Sequence, residues 1–167
     1  AVFLCLLPRL MELMATGALP VDAATTRVFA QFEPGRMSQG GGTTGSLMQR
    51  FAGLLLDRAL HDPAWPLDVI SARRLLACGA WPLPALVGQA QSDPELPAAL
   101  ARVWARSGRD DSLFPGIWPA GAVPLLRAAF VTPLAAERMM NFAMADGTSY
   151  RETDDAMRAA DVVLRNL

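Results

Sequence analysis

The sequence has no lysine, one histidine and two cysteines, and each shortage excludes a kind of chemistry. All 15 basic residues are arginines, so the chain has neither a Schiff-base amine nor the lysine of a Walker phosphate loop. The spacing predicts no zinc site, because Cys5, Cys78 and His61 stand too far apart in sequence. His61 falls in the last turn of a predicted helix, where an interaction with free carbonyls is ordinary. We therefore expect no metal, no cofactor and no catalytic residue, and we predict a protein that is not an enzyme.

Charged residues are also scarce. They make up 19% of the chain against 52% hydrophobic residues, and the mean hydropathy is +0.24, whereas soluble domains carry roughly 25% charge. This apolar excess predicts a surface that meets a protein partner or a second copy. The formal net charge of -1 provides no general attraction for nucleic acid or an anionic membrane.

The apolar run at residues 2–7 ends at Pro8 and Arg9, far short of the roughly 20 residues that a membrane span needs. The first charge follows this run, whereas a signal peptide has its basic residues in front. Cys5 and Cys78 stand in apolar surroundings, which suits free thiols in a reducing compartment. We predict no membrane span and a cytoplasmic location.

Helix start and stop signals dominate the chain and predict an all-α fold. We expect a single domain, residues 1–167, built as an orthogonal bundle of about seven short helices, with a possible subdivision at the loop 109–121. Residues 22–33 are ambiguous, because the β-branched and aromatic content of 25–32 also fits a strand. The other expected helices are 8–16, 46–61, 69–78, a short helix or turn within 82–91, 97–107, 124–131, 132–145 and a final helix from residue 150.

The glycine-rich segment 35–46 is predicted to be a mobile loop that ends at Ser46, which forms a capping box with Gln49. Backbone N–H groups at a helix start attract anions. Gly40, Gly42 and Gly45 have the spacing of a dinucleotide-binding loop. The candidate anion site therefore consists of Arg36, Gly40, Gly42, Gly45 and Ser46, and a phosphate or nucleotide binder is one alternative function.

The last helix is predicted to begin with a second capping box, formed by Ser149 and Glu152. Its expected apolar side consists of Met157, Ala160, Leu164 and Leu167. Its expected solvated stripe consists of Asp154, Arg158, Asp161 and Arg165, which form acid-to-base pairs four residues apart.

The segment Gly147-Thr148-Ser149-Tyr150-Arg151-Glu152 resembles the opening of the helix-turn-helix in sigma-factor region 4 and related response regulators. The resemblance implies a DNA-binding regulator, with a turn near Arg158. Such a protein would present Arg138, Arg151, Arg158 and Arg165 on one face. Aspartates interleave with Arg158 and Arg165 and would repel phosphate, so we expect nucleic acid binding less than a protein partner.

Soft and aromatic side chains supply the candidate anchors for a partner. Methionines with a phenylalanine between them can repack around a partner helix, and tryptophan next to proline can act as a rigid anchor. We predict an interaction protein, such as an adaptor, a chaperone or a subunit of a larger assembly, that docks through an apolar helix face or groove. The expected anchors are Met139, Met140, Phe142, Met144, Phe114 and Trp118.

Overall fold

A computed structural model describes residues 9–14, 16–19, 43–65, 67–79, 81–105 and 113–167. All regular secondary structure in these ranges is helical and none of their residues lies in a strand, which confirms the predicted all-α class. The helices are α1 (9–14), α2 (Thr43–His61), α3 (Val69–Cys78), α4 (Leu83–Gln91), α5 (Leu96–Trp104), α6 (Ala122–Phe130), α7 (Pro133–Ala143) and α8 (Tyr150–Arg165).

The chain divides into two compact units, Ala1–Trp81 and Pro82–Leu167. The first contains α1 to α3, and the second contains α4 to α8. The single domain, its possible subdivision at 109–121 and the orthogonal arrangement of helices stay predictions. The ambiguous segment 22–33 lies outside the described residues.

In the first unit, α2 packs against α3. The buried side of α2 carries Phe51, Leu55 and Ala59 at a spacing of four residues, which places them on one helix face. Asp68 caps the start of α3, because its carboxylate accepts hydrogen bonds from the backbone N–H groups of Ile70 and Ser71 at 2.9 and 2.8 Å.

One part of the α2 prediction is wrong. The helix begins at Thr43, so Gly45 and Ser46 have helical backbone and Ser46 is not its cap. Glycine inside a helix costs up to about 1 kcal/mol relative to alanine. Extending an established helix adds a backbone hydrogen bond per residue, and this gain offsets the cost of Gly45.

In the second unit, α7 and α8 form a helical hairpin, and α5 packs against both of them. Trp104, Leu126 and Met139 are among the large buried side chains of this unit. The predicted loop after α5 holds aromatic contacts in its described part: the Phe114 ring stacks edge to face on Trp104 and on Trp118, at centroid distances of 6.2 and 6.5 Å.

The predicted end of α5 before Gly108 is wrong, since the helix ends at Trp104. The Trp104 indole N–H donates to the Leu113 carbonyl at 3.0 Å. This bond holds Leu113, the first described residue after Ala105, against the end of α5.

The final helix has the predicted cap but a different buried side. Ser149 and Glu152 form a complete capping box. Ala160 is buried as expected, whereas Met157 and Leu164 are 50% and 49% exposed. The buried stripe instead consists of small side chains, which allow neighbouring helices to approach closely: Ala156, Ala159, Ala160 and Val163.

Candidate docking surface

The predicted methionine surface of α7 does not lie on one side of the helix. Met139 is buried, with 1% of its surface exposed, whereas Met144 is 82% exposed at the helix end. Met140 and Phe142 are half-buried. Successive helical residues differ by about 100° around the axis. Met139 therefore points into the core, Met140 and Phe142 lie at its edge, and Met144 is exposed to solvent.

The other two predicted anchors are close together but belong mainly to the packing of the unit. Phe114 is 5% exposed, and its ring lies between those of Trp104 and Trp118. Trp118 is half-buried. These residues fasten the segment after α5 to the core, and Trp118 keeps part of its surface accessible.

An open pocket of about 270 Å³ lies where the end of α4, the end of α6, and helices α5 and α7 meet. Met139, from the predicted cluster, lies at its wall, and Leu134 at its mouth is 54% exposed. The lining is mostly apolar: Leu96, Pro97, Leu100, Ala129, Phe130, Leu134, Ala135 and Met139, with Gln91, Thr132 and Arg138 as the polar members.

Hydrogen bonds between helix ends hold the rim of this pocket. The Gln91 side-chain amide donates to the Ala129 carbonyl at 3.3 Å, and the Arg138 guanidinium donates to the Gln91 carbonyl at 3.1 Å. Thr132 caps α7 by accepting from the Ala135 N–H at 3.1 Å. The carbonyls at the ends of α4 and α6 are thus satisfied by side chains, which keeps the pocket walls in place.

Arg138 gives the pocket its electrostatic character. Among the described residues it is the one charged side chain that lines the pocket, and none of the described lining residues carries a carboxylate. A guanidinium has five N–H donors in a planar fork, and the bond to Gln91 uses one of them. The pocket therefore suits an apolar group that carries a carboxylate or another anion beside it.

The predicted anion site is described only in part. Gly45 and Ser46 lie in the first turn of α2, and Arg36, Gly40 and Gly42 lie outside the described residues. The glycine-rich loop cannot extend to residue 46, because α2 begins at Thr43. A phosphate-binding role for this segment stays a prediction.

Acidic side chains accompany two arginines of the face that the helix-turn-helix resemblance requires. Arg158 pairs with Asp154 at 2.8 Å, and Arg165 pairs with Asp161 at 2.5 Å. Helix α8 also continues through Arg158 to Arg165, at the place where the resemblance implies a turn. These observations do not favour DNA binding.

Little in the described residues points to metal or acid–base chemistry. No group of three or more histidine, cysteine, aspartate or glutamate side chains in the described ranges could hold a metal ion. His61 Nδ1 lies 2.9 Å from the Asp57 carbonyl, the helix-end contact expected from the sequence. Burial raises the pKa of the Cys78 thiol, and nearby Arg74 partly opposes this effect.

Comparisons with protein-family models, with curated proteins and with solved structures found no match. No helix in the described part of the chain is both long and apolar enough to cross a membrane. The pocket between α4 and α7 is the strongest basis for a function.

Proposed function

We propose that this protein is a non-enzymatic interaction module that binds a protein partner through the pocket between α4 and α7. The observation that carries the proposal is an open, mostly apolar pocket with the Arg138 guanidinium at its rim. The partner segment presents a bulky apolar side chain with an acidic residue beside it. The apolar side chain enters between Leu100 and Leu134, and the carboxylate binds Arg138.

The size of the pocket favours a side chain over a larger cofactor. Its volume of about 270 Å³ is just below the range of roughly 300 to 1,000 Å³ typical of small-molecule sites. Burial of one leucine, methionine or phenylalanine side chain contributes about 1.5–3 kcal/mol. Helix-in-groove recognition uses such anchors.

Adaptor, chaperone and assembly subunit are three forms that this function can take. The proposal includes a cytoplasmic location, which the low cysteine content of the chain, two residues in 167, supports, since small disulfide-rich domains are typical of oxidising compartments.

The test is a selection of short linear peptides from a random displayed library against the whole chain. We expect enrichment of peptides in which a large apolar residue lies next to Asp or Glu. The dissociation constant of a labelled selected peptide is then measured by fluorescence anisotropy. Leu134→Asp should weaken binding about tenfold or more, because the lost apolar contact is worth more than 1.4 kcal/mol.

Two further variants complete the design. Leu125→Asp is the matched control, because Leu125 on α6 is 53% exposed and does not line the pocket. Arg138→Gln should weaken binding of an acidic peptide more than binding of its amide counterpart, because only the acidic peptide loses an ion pair. The proposal is wrong if no peptide is enriched, or if Leu134→Asp and Leu125→Asp have equal effects.

A further inference from the structure

An unpartnered apolar stripe runs along α8, away from the pocket. Tyr150, Met157 and Leu164 recur every seven residues and are 89%, 50% and 49% exposed. A seven-residue interval is close to two helical turns, so these side chains line one edge of the helix. From Tyr150 to Leu164 the stripe extends along about 21 Å of helix, at 1.5 Å per residue.

A row of charges with alternating sign lies beside the stripe. Asp154, Arg158, Asp161 and Arg165 pair within the helix as Asp154 with Arg158 and Asp161 with Arg165. All four side chains are exposed to solvent by between 43% and 67%. Their charges therefore remain accessible to another molecule, and an exposed pair of this kind contributes little to the stability of its own helix.

The order of these charges is self-complementary. In an antiparallel second copy, Asp154 lies opposite Arg165 and Arg158 lies opposite Asp161, so each of the four charges meets the opposite sign. The same crossing brings Met157 of one copy near Leu164 of the other. In a parallel two-fold pair the two charge rows would instead lie on opposite sides of the interface, where they could not pair with each other.

We propose that a second copy of this chain binds antiparallel along the α8 stripe and forms a two-fold symmetric homodimer. A two-fold interface uses the same patch on both subunits, as this pattern requires. The proposal does not depend on the proposed function, because none of the stripe or charge residues lines the pocket. One helix edge offers less than the roughly 1,200–2,000 Å² of a stable interface, so the dimer dissociates on dilution.

Light scattering of the whole chain over a dilution series measures the association. We expect the molar mass to rise from one chain towards two with concentration. Met157→Asp and Leu164→Asp should each raise the dissociation constant about tenfold or more, because each loses an apolar contact. Leu125→Asp, at similar exposure on α6, should leave it unchanged.

Two charge reversals decide between an interchain and an intrachain role for the charges. Asp154→Arg and Arg165→Asp should each reduce self-association, because each places like charges at symmetric contacts. An equimolar mixture of the two variants should associate again, because both interchain pairs between positions 154 and 165 then join opposite signs. If the charges acted only within their own helix, the mixture would associate no more strongly than each variant alone.

A monomer at every concentration, an assembly larger than two chains, or a mixture that stays monomeric would overturn the proposal. The peptide experiment remains separate from this one, since Met157→Asp should not change peptide affinity. Failure of either proposal therefore leaves the other standing.

Discussion

Glycine suits the backbone conformation at Gly147 and is unfavourable at Gly88. Gly147 has a φ of 89° in the turn before α8, a conformation that costs other residues about 1–2 kcal/mol. Gly88 lies inside α4, where glycine is less favourable than alanine by about 0.8–1 kcal/mol. An added Cβ would meet no atom within 4 Å at either position, so the backbone alone decides the outcome.

We predict that Gly147→Ala lowers the free energy of unfolding by about 1–2 kcal/mol and that Gly88→Ala raises it by up to about 1 kcal/mol. Urea unfolding of both variants beside the parent chain measures the two changes. Changes of the same sign would contradict this explanation.

The stability of the start of α8 depends on pH through the carboxylate of Glu152. Its pKa lies below the ordinary value of 4.5, first because the Ser149 hydroxyl donates to it and then because the Ser149 backbone N–H does, with a smaller contribution from Arg102. A lowered pKa means that the ionised group stabilises the folded chain above about pH 4.5, and that this stabilisation disappears as the pH falls through the lowered value.

We predict that the difference in unfolding free energy between the parent chain and Glu152→Gln is largest near neutral pH and shrinks in acid. Chemical unfolding followed by circular dichroism at a series of pH values gives this difference. Glu137→Gln on α7 is the control for general charge effects. A difference that stays constant from neutral to acidic pH would show that the carboxylate has no such role.

At the scale of the element, α8 depends on small side chains. Ala156 and Ala159 are completely buried on the side that faces α5 and α7. Extra methylenes in a packed core force side chains off their preferred rotamers and cost about 1–3 kcal/mol.

Ala159→Leu should therefore destabilise the chain by about 1–3 kcal/mol, although leucine is a good helix former. Met157→Leu on the half-exposed edge should change the stability by less than about 1.5 kcal/mol. Thermal unfolding followed by circular dichroism compares the two. Equal stability of Ala159→Leu and the parent would mean that this packing is loose.

The helices themselves could largely be predicted, because their signals are local. Asp68, Thr132 and Ser149 each cap a helix with bonds to N–H groups two or three residues away, so the sequence alone contains the information. The buried side of α8 could not be predicted in the same way. The sequence alone favours burial of the edge with Met157 and Leu164, because these side chains are larger. The packing of the neighbouring helices buries the alanines instead.

The candidate site was harder to predict for a related reason. The rim bond between Arg138 and Gln91 joins residues 47 positions apart, and the pocket wall comes from four helices. No local spacing indicates such a contact. Of the predicted methionine cluster, Met139 lies at the pocket wall, and its role in binding a partner stays a prediction.

At the scale of the whole molecule, the near balance of charge governs solubility. The net charge is -1 at pH 7 and the isoelectric point is about 5.8, and little net charge remains to keep copies apart. We predict a solubility minimum near pH 5.8, with solubility rising on either side. Precipitation midpoints with polyethylene glycol across this pH range measure it, and a flat profile would contradict the expectation.

The hydrogen bonds around the α7–α8 turn also imply an order of folding. Thr148 and Thr153 bind carbonyls at the end of α7 that lie only 6 and 10 residues back, whereas Arg127 reaches the Asn166 carbonyl across 39 residues. Closing a short loop costs less entropy than closing a long one, and contacts that are local in sequence form faster. We therefore expect the hairpin to form early in the folding of the second unit, and the contact between Arg127 and the end of α8 to form late.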